Sequence, residues 1–185
     1  LAQRSENVVA ALVSGCARRR VNRTTAGNMK LLLVTNDFPP KLGGIQSYLW
    51  ELVRRVPGTT VLTAMSAPSD ECAVFDRAQP FRVVRRNDRV LLPSRALGAD
   101  VDALAVECGA DAIIVDPVLP LGLVAPMLRA APVWALVHGA ELTTPGRLPG
   151  ARQLAQRVLH AVEGVVAAGG YPARIATEVA GRALR

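Results

Sequence analysis

The sequence predicts an α/β fold: a parallel sheet with helices on both faces. Near-continuous apolar runs such as Leu31–Val34 and Asp111–Val115 alternate with segments whose apolar residues recur every three to four positions. Strands that lack an in–out alternation are buried on both sides, which is how parallel sheets covered by helices read. Half of the 185 residues are apolar, enough to fill the core of one domain.

The elements follow in order. The first strand, Leu31 to Val34, is stopped by Pro39-Pro40. Gly43-Gly44 then open a helix in which Ile45, Leu49, Leu52, Val53 and Val56 form one stripe. Thr59 to Met65 reads as a second strand, Ala67 to Asp76 as a connecting loop and Phe81 to Arg85 as a third strand. Arg95 to Cys108 is helical through Leu97, Val101, Leu104, Ala105 and Cys108, and Asp111 to Val115 is a β-branched strand. Leu119 to Arg129 reads as a helix despite Pro126, Pro132 to Val137 as a strand, Gln153 to Val162 as a helix and Val165 to Ala168 as the last strand. Ligands of such sheets bind beyond the carboxyl ends of the strands. The Gly43-Gly44 loop, Asp116-Pro117 and His138-Gly139-Ala140-Glu141 all follow strands, so they converge on one edge.

Charge and cysteines narrow the function. Residues 1–28 hold five of the 22 basic residues and one of the 15 acids, hence +4 of the net +7. The remainder is only mildly basic, aromatics are scarce, and no nucleic-acid motif is present, which argues against DNA or RNA binding. Cys16, Cys72 and Cys108 are odd in number and widely spaced, giving neither a metal signature nor a disulfide framework. Residues 1–28 read as a disordered leader or a translated upstream extension. Their apolar run Val8–Val13 precedes Arg18-Arg19-Arg20, the reverse of a secretory signal, and is too short for a membrane span.

Four groups of residues carry candidate chemistry. Gly43 and Gly44 remove Cβ atoms where a helix N-terminus exposes free N–H groups, a place that suits a diphosphate. The dinucleotide pattern of three spaced glycines is missing, which argues against a nicotinamide-dependent dehydrogenase or epimerase. His138 follows an apolar strand and precedes a glycine, a position facing ligand in an α/β sheet, whereas His160 reads as a helix-face residue. Glu141 is placed to fix the loop after His138. Arg82, Arg85, Arg86, Arg89 and Arg95 cluster around Val90-Leu91-Leu92-Pro93, a pattern suited to anionic lipid, with solvated surface charge as the competing reading.

Thr35-Asn36-Asp37-Phe38-Pro39-Pro40 with Gly43-Gly44-Ile45-Gln46-Ser47-Tyr48-Leu49 resembles the start of retaining GT-B glycosyltransferases of family 4. Within that family it is most similar to the actinobacterial phosphatidylinositol mannosyltransferases. A second block, His138-Gly139-Ala140-Glu141 followed by Leu148-Pro149-Gly150-Ala151-Arg152-Gln153, resembles the family's His-Gly-His-Glu and Leu-Pro-Gly-x-Arg-Gln segments. Ala140 departs from it, replacing the second histidine by a methyl that makes no hydrogen bond.

The resemblance implies that residues 29–185 form the Rossmann-like, acceptor-side N-terminal domain of a GT-B enzyme whose C-terminal donor domain is absent. The implied reaction moves mannose from GDP-mannose to a phosphatidylinositol mannoside, with no metal or other cofactor required. His138 would contact the donor sugar, Gly43 and Gly44 the diphosphate, and Asp37 and Glu141 would support the loops. Gln46, Tyr48, Arg82, Arg85, Arg86, Arg89, Arg147 and Arg152 would serve the lipid acceptor or the anionic membrane surface. The expected location is cytoplasmic, at the inner face of the plasma membrane. A non-catalytic remnant or interaction domain, or a family 4 transferase using another sugar and acceptor, is the alternative.

Overall fold

The computed structural model describes residues 29–143 and 150–183. The expectations for residues 1–28, for Arg147 and for Leu148-Pro149 therefore lie outside the described residues. Six parallel strands form one sheet in the order β3-β2-β1-β4-β5-β6: β1 Leu31–Thr35, β2 Thr60–Thr63, β3 Arg82–Arg85, β4 Ala112–Asp116, β5 Val133–Val137 and β6 Gly164–Ala167. This is the doubly wound Rossmann-like order, in line with one half of a GT-B fold. Its strand order reverses between β1 and β4, which opens a crevice at their carboxyl ends.

Every β1 residue is buried, and successive ones feed opposite cores. Leu32 and Val34 pack with Leu97, Val101, Leu121, Val124, Val158 and Val179, while Leu31 and Leu33 pack with Tyr48, Leu49, Leu52, Phe38 and Trp134. The second face is covered by α1 (Gly44–Val53), with Phe75 of α2 (Ser69–Arg77) packed against its rim. The first is covered by α3 (Arg95–Cys108), a 3₁₀ segment at Leu121–Met127, α5 (Ala151–Ala161) and α6 (Gly170–Ala180). A short α4 (Ala140–Thr143) follows β5.

The boundaries of α3 match the sequence reading, and its caps explain why. The Ser94 hydroxyl accepts the Leu97 N–H at 3.1 Å, and Gly109 ends the helix in the left-handed region at φ 65°. Two elements differ from expectation. The segment read as a loop contains α2, which opens after Pro68 with Asp70 and Glu71 in its first turn and Arg77 in its last, a charge order that favours the helix dipole. It buries only Cys72 fully, so it shows little apolar stripe. The segment around Pro126 is 3₁₀ instead of α-helical, as a proline that removes an N–H donor favours. β6 stands as the last strand, as read, and α6 follows it.

Candidate functional site

The carboxyl-terminal row is polar across β3, β2, β1 and β4, whereas β5 and β6 close on Val137 and Ala167. Arg85, Thr63, Thr35 and Asp116 stand in register across β3, β2, β1 and β4, closing strands that are otherwise apolar in β1 and β4 and mixed in β2 and β3. Thr35 and Asp116 are buried, and the Thr35 hydroxyl donates to Asp116 Oδ2 at 2.7 Å. The other carboxylate oxygen, Oδ1, lies 2.8 Å from His138 Nε2, with the Asp116 side chain 1% and the His138 side chain 10% exposed. A carboxylate this far from water costs free energy unless hydrogen bonds hold it, and both of its oxygens are held.

His138 is positioned from three sides. Its backbone N–H donates to Glu141 Oε1 at 2.7 Å, the role of a residue that reaches back to secure the start of α4. Gly139 turns the chain at φ 106°, a conformation side chains disfavour, with Tyr171 and Pro172 of α6 behind it. The Tyr48 ring meets the imidazole edge to face, 5.6 Å between centroids at 88°. Burial works against the charged imidazolium, but the hydrogen bond and charge of Asp116, with Glu141 and Asp37 adding, outweigh it and raise the His138 pKa above the ordinary 6.5.

The glycine loop is braced by Asp37. Its N–H donates to Thr35 Oγ1 at 2.9 Å, and its Oδ1 accepts from Gln46 Nε2 at 2.7 Å and Lys41 Nζ at 2.9 Å. The Gln46 side chain crosses over Gly43, where a Cβ would stand 2.1 Å from Gln46 Oε1. Gly44 differs: a Cβ there would meet nothing within 4 Å, so its face is open to a ligand. The α1 N-terminus has no side-chain cap and no acidic residue in its first turn, which leaves its dipole end uncompensated. Beside it, a groove of about 630 Å³ runs over the ends of β1 to β3, lined by Asn36, Lys41, Ser66, Asn87, Asp88 and Arg89 among others. Both amide atoms of Asn36 hold the Leu91 backbone, at 3.0 and 2.6 Å, and tie the arginine-rich loop to the glycine loop.

Gly43, Gly44, Asp37, Gln46, Tyr48, His138 and Glu141 thus meet at one edge. Gln46 and Tyr48 are 6% exposed and support the glycine loop and His138, so neither offers a side chain to a membrane surface. The arginines do not form one surface. Arg85 is 5% exposed, forked onto Asp76 at 2.8 Å and bonded to the Pro39 and Ala64 carbonyls and Ser66, so it is structural and closed to lipid. Arg82 pairs with Glu107 at 2.7 Å, and Arg86 pairs with Asp88 at 2.8 Å and with Asp100. Arg89 lines the groove, while Arg152 bonds the Glu178 carbonyl at 3.1 Å, towards α6. Leu91 is buried, with Val90 and Leu92 exposed beside it. Thr35 and Asp116, which the sequence reading placed in the first motif and at the strand-end edge without giving either a role, are the side chains that hold His138. Their signal was a polar residue ending each of two apolar strands that neighbour at the switch point.

His160 lies on the exposed face of α5, its Nε2 2.9 Å from the Ala180 carbonyl, and Cys108 packs against the core. Among the described residues no helix is long and apolar enough to cross a membrane, and no cluster of three metal-ligating side chains occurs.

No protein-family model matches the chain. It is 37% identical over 137 residues to the GDP-mannose-dependent α-(1-6)-phosphatidylinositol monomannoside mannosyltransferase of Mycobacterium tuberculosis, covering 70% of this chain and 35% of that protein. The GDP-mannose-dependent monoacylated α-(1-6)-phosphatidylinositol monomannoside mannosyltransferase of Corynebacterium glutamicum is 31% identical over 137 residues, covering 72% and 36%. The enzyme of Mycolicibacterium smegmatis with the same name as the first is 33% identical over 134 residues, covering 69% and 35%. The chain spans about a third of the length of the curated relatives it matches. The resemblance to glycosyltransferases, and among them to the phosphatidylinositol mannosyltransferases, is borne out by these relatives.

Proposed function

We propose that this chain is the acceptor-side half of a retaining mannosyltransferase that moves mannose from GDP-mannose to a phosphatidylinositol mannoside. The observation that carries the reading is the convergence of the open Gly44 helix start and the buried Asp116–His138 pair on one crevice. Backbone N–H groups at the α1 start take part of the charge that builds on the departing diphosphate, where Gly44 leaves room for close approach. His138, held at the end of β5, contacts the donor sugar and orients it. The leaving phosphate assists deprotonation of the acceptor hydroxyl on the same face, so the protein supplies no covalent nucleophile. This differs from the paired-carboxylate design of retaining glycosidases.

A C-terminal donor domain grips most of the nucleotide and closes over this crevice. No resident metal or cofactor is needed, since the helix dipole and backbone donors meet the phosphate. The acceptor reaches the site from the cytoplasmic leaflet, with Lys41 and Arg89 of the groove suited to an anionic headgroup and the exposed Val90 and Leu92 to its apolar border. The test is a transfer assay of the protein carrying its C-terminal domain, with GDP-mannose labelled in the sugar and phosphatidylinositol monomannoside in vesicles. Labelled lipid is the expected product, and transfer from no nucleotide sugar overturns the reading.

A further inference from the structure

We propose that Asp116 is the positioning residue of this site: its buried carboxylate, anchored on Thr35, holds the His138 imidazole by Nε2 and leaves Nδ1 to meet the bound sugar. The inference rests on the reading of His138 as the residue that faces the donor. Asp116 and Thr35 are the closing residues of adjacent strands and stand in register, so the sheet ladder itself fixes their separation. The Thr35 hydroxyl donates to Oδ2, which aims Oδ1 at the ring. An ionised carboxylate only accepts, so the bond at 2.8 Å places a proton on Nε2 whether the ring is neutral or charged. Nδ1 is then an acceptor in the neutral ring and a donor in the imidazolium.

Among the described residues, the groups that face this ring are Asp116 at Nε2, Glu141 at the backbone N–H, Asp37 by its charge and the Tyr48 ring edge. Three carboxylates favour the charged ring. The site therefore converts pH into a change at Nδ1, from acceptor to donor, without moving the chain. Turning the ring over would set a carbon against a buried carboxylate and forfeit a charge-assisted bond. Asp116 thereby sets both the orientation of the ring and the identity of the atom it presents.

The chain has two histidines, so its imidazole nitrogens can be followed singly by ¹⁵N NMR, with His160 as the internal reference. In the unaltered chain His138 is expected in the Nε2–H tautomer with a midpoint above 6.5. Asp116→Asn keeps the shape and removes the charge, so the His138 midpoint should fall while His160 stays. Asp116→Ala should mix the tautomers. Should the alanine variant not fold, the asparagine variant carries the test, and an unchanged midpoint there overturns the proposal. In the protein carrying its C-terminal domain, Asp116→Asn should lower turnover by about 10²-fold with little change in the KM for GDP-mannose, the size expected of a misaligned reacting group. Equal turnover also overturns the proposal. If the unaltered two-domain protein transfers no sugar, the functional reading fails, and the NMR midpoints still decide whether Asp116 sets the state of His138.

Discussion

The polar row that closes the sheet ends in a charge on each side, and the two ends have different chemistry. At the β3 end Arg85 spends its guanidinium on Asp76, two backbone carbonyls and Ser66, so nothing of it is left for a ligand. At the β4 end Asp116 holds Thr35 and one nitrogen of His138, and the ring retains its second nitrogen. Both charges are buried and paired. The difference is that the arginine's partners close the network within the protein, whereas the aspartate's partner passes it on to the crevice at the switch point. Burial of a charge by itself therefore does not separate the two ends; what separates them is whether the network closes on backbone and structural side chains or ends on a ring at the strand termini.

The comparison breaks most visibly at Arg85. Replacing it by Ala leaves Asp76 partly buried without its cation, and loss of one partner of a buried pair costs about 3 kcal/mol or more. A marked fall in Tm by calorimetry is expected. Unchanged stability would show that the β3 end is no more structural than the surface arginines.

Next in size are changes on the crevice side, read in a protein carrying the proposed donor domain. His138→Ala should lower turnover about 10²-fold, as for loss of a polar contact made at the reacting centre, and should also lower Tm, because it leaves Oδ1 of the buried Asp116 without its partner, so turnover is compared below the lowered Tm. Gly44→Val fills the open face of the helix start and should abolish transfer without unfolding the domain, because its Cβ meets nothing in the free protein. A destabilised but active Gly44→Val would reverse the comparison, making the glycine loop structural.

The relation to the sequence is uneven for the same reason. Elements with strong local signals were legible: β1 from its apolar run, α1 from its stripe, α3 from the recurrence of Leu97, Val101, Leu104, Ala105 and Cys108. Helix α2 was not, because a helix with one fully buried residue carries little periodicity, although Pro68, Asp70 and Glu71 marked its start. In the site, motif text found His138 and the glycine pair, but it grouped Arg85 with the exposed arginines. Spacing along β3 does not reveal that Arg85 lies under the Pro39 carbonyl, a contact spanning 46 residues. Asp116 was placed at this edge by its position after a strand, but its bond to Thr35 was hidden, since only the alignment of β4 with β1 brings the two together.

A smaller effect concerns pH. The native pKa of His138 lies above its unfolded value near 6.5, so the charged pair with Asp116 stabilises the fold fully below about 6.5. That contribution is lost as pH rises through the raised native value. The stability difference between the unaltered chain and His138→Gln, from urea titrations at pH 5.5 and pH 8.5, should be larger at the acid end. The opposite order would mean that the ring is neutral against its carboxylate, and that the crevice end of the row is no more electrostatic than a core hydrogen bond.

The smallest effect on the fold, and the sharpest probe of the flank, comes from Arg86 and Arg89. Arg86 is partly exposed with solvated partners, and Arg89 lines the open groove. Exposed pairs contribute about 0–1 kcal/mol, so Arg86→Ser and Arg89→Ser should each shift Tm little. Their effect on membranes should be larger than their effect on stability. Each basic residue near an anionic surface contributes about 1 kcal/mol, roughly a fivefold change in partition, and salt screens it over about 10 Å. Sedimentation with phosphatidylinositol vesicles should therefore weaken in the double variant at low salt, with Arg89 the larger contributor because Arg86 is already engaged by Asp88 and Asp100. If the double variant binds as well as the unaltered chain, the β3 flank joins Arg85 as structure alone, and the proposed lipid contact moves to the glycine loop and the exposed Leu42 beside it.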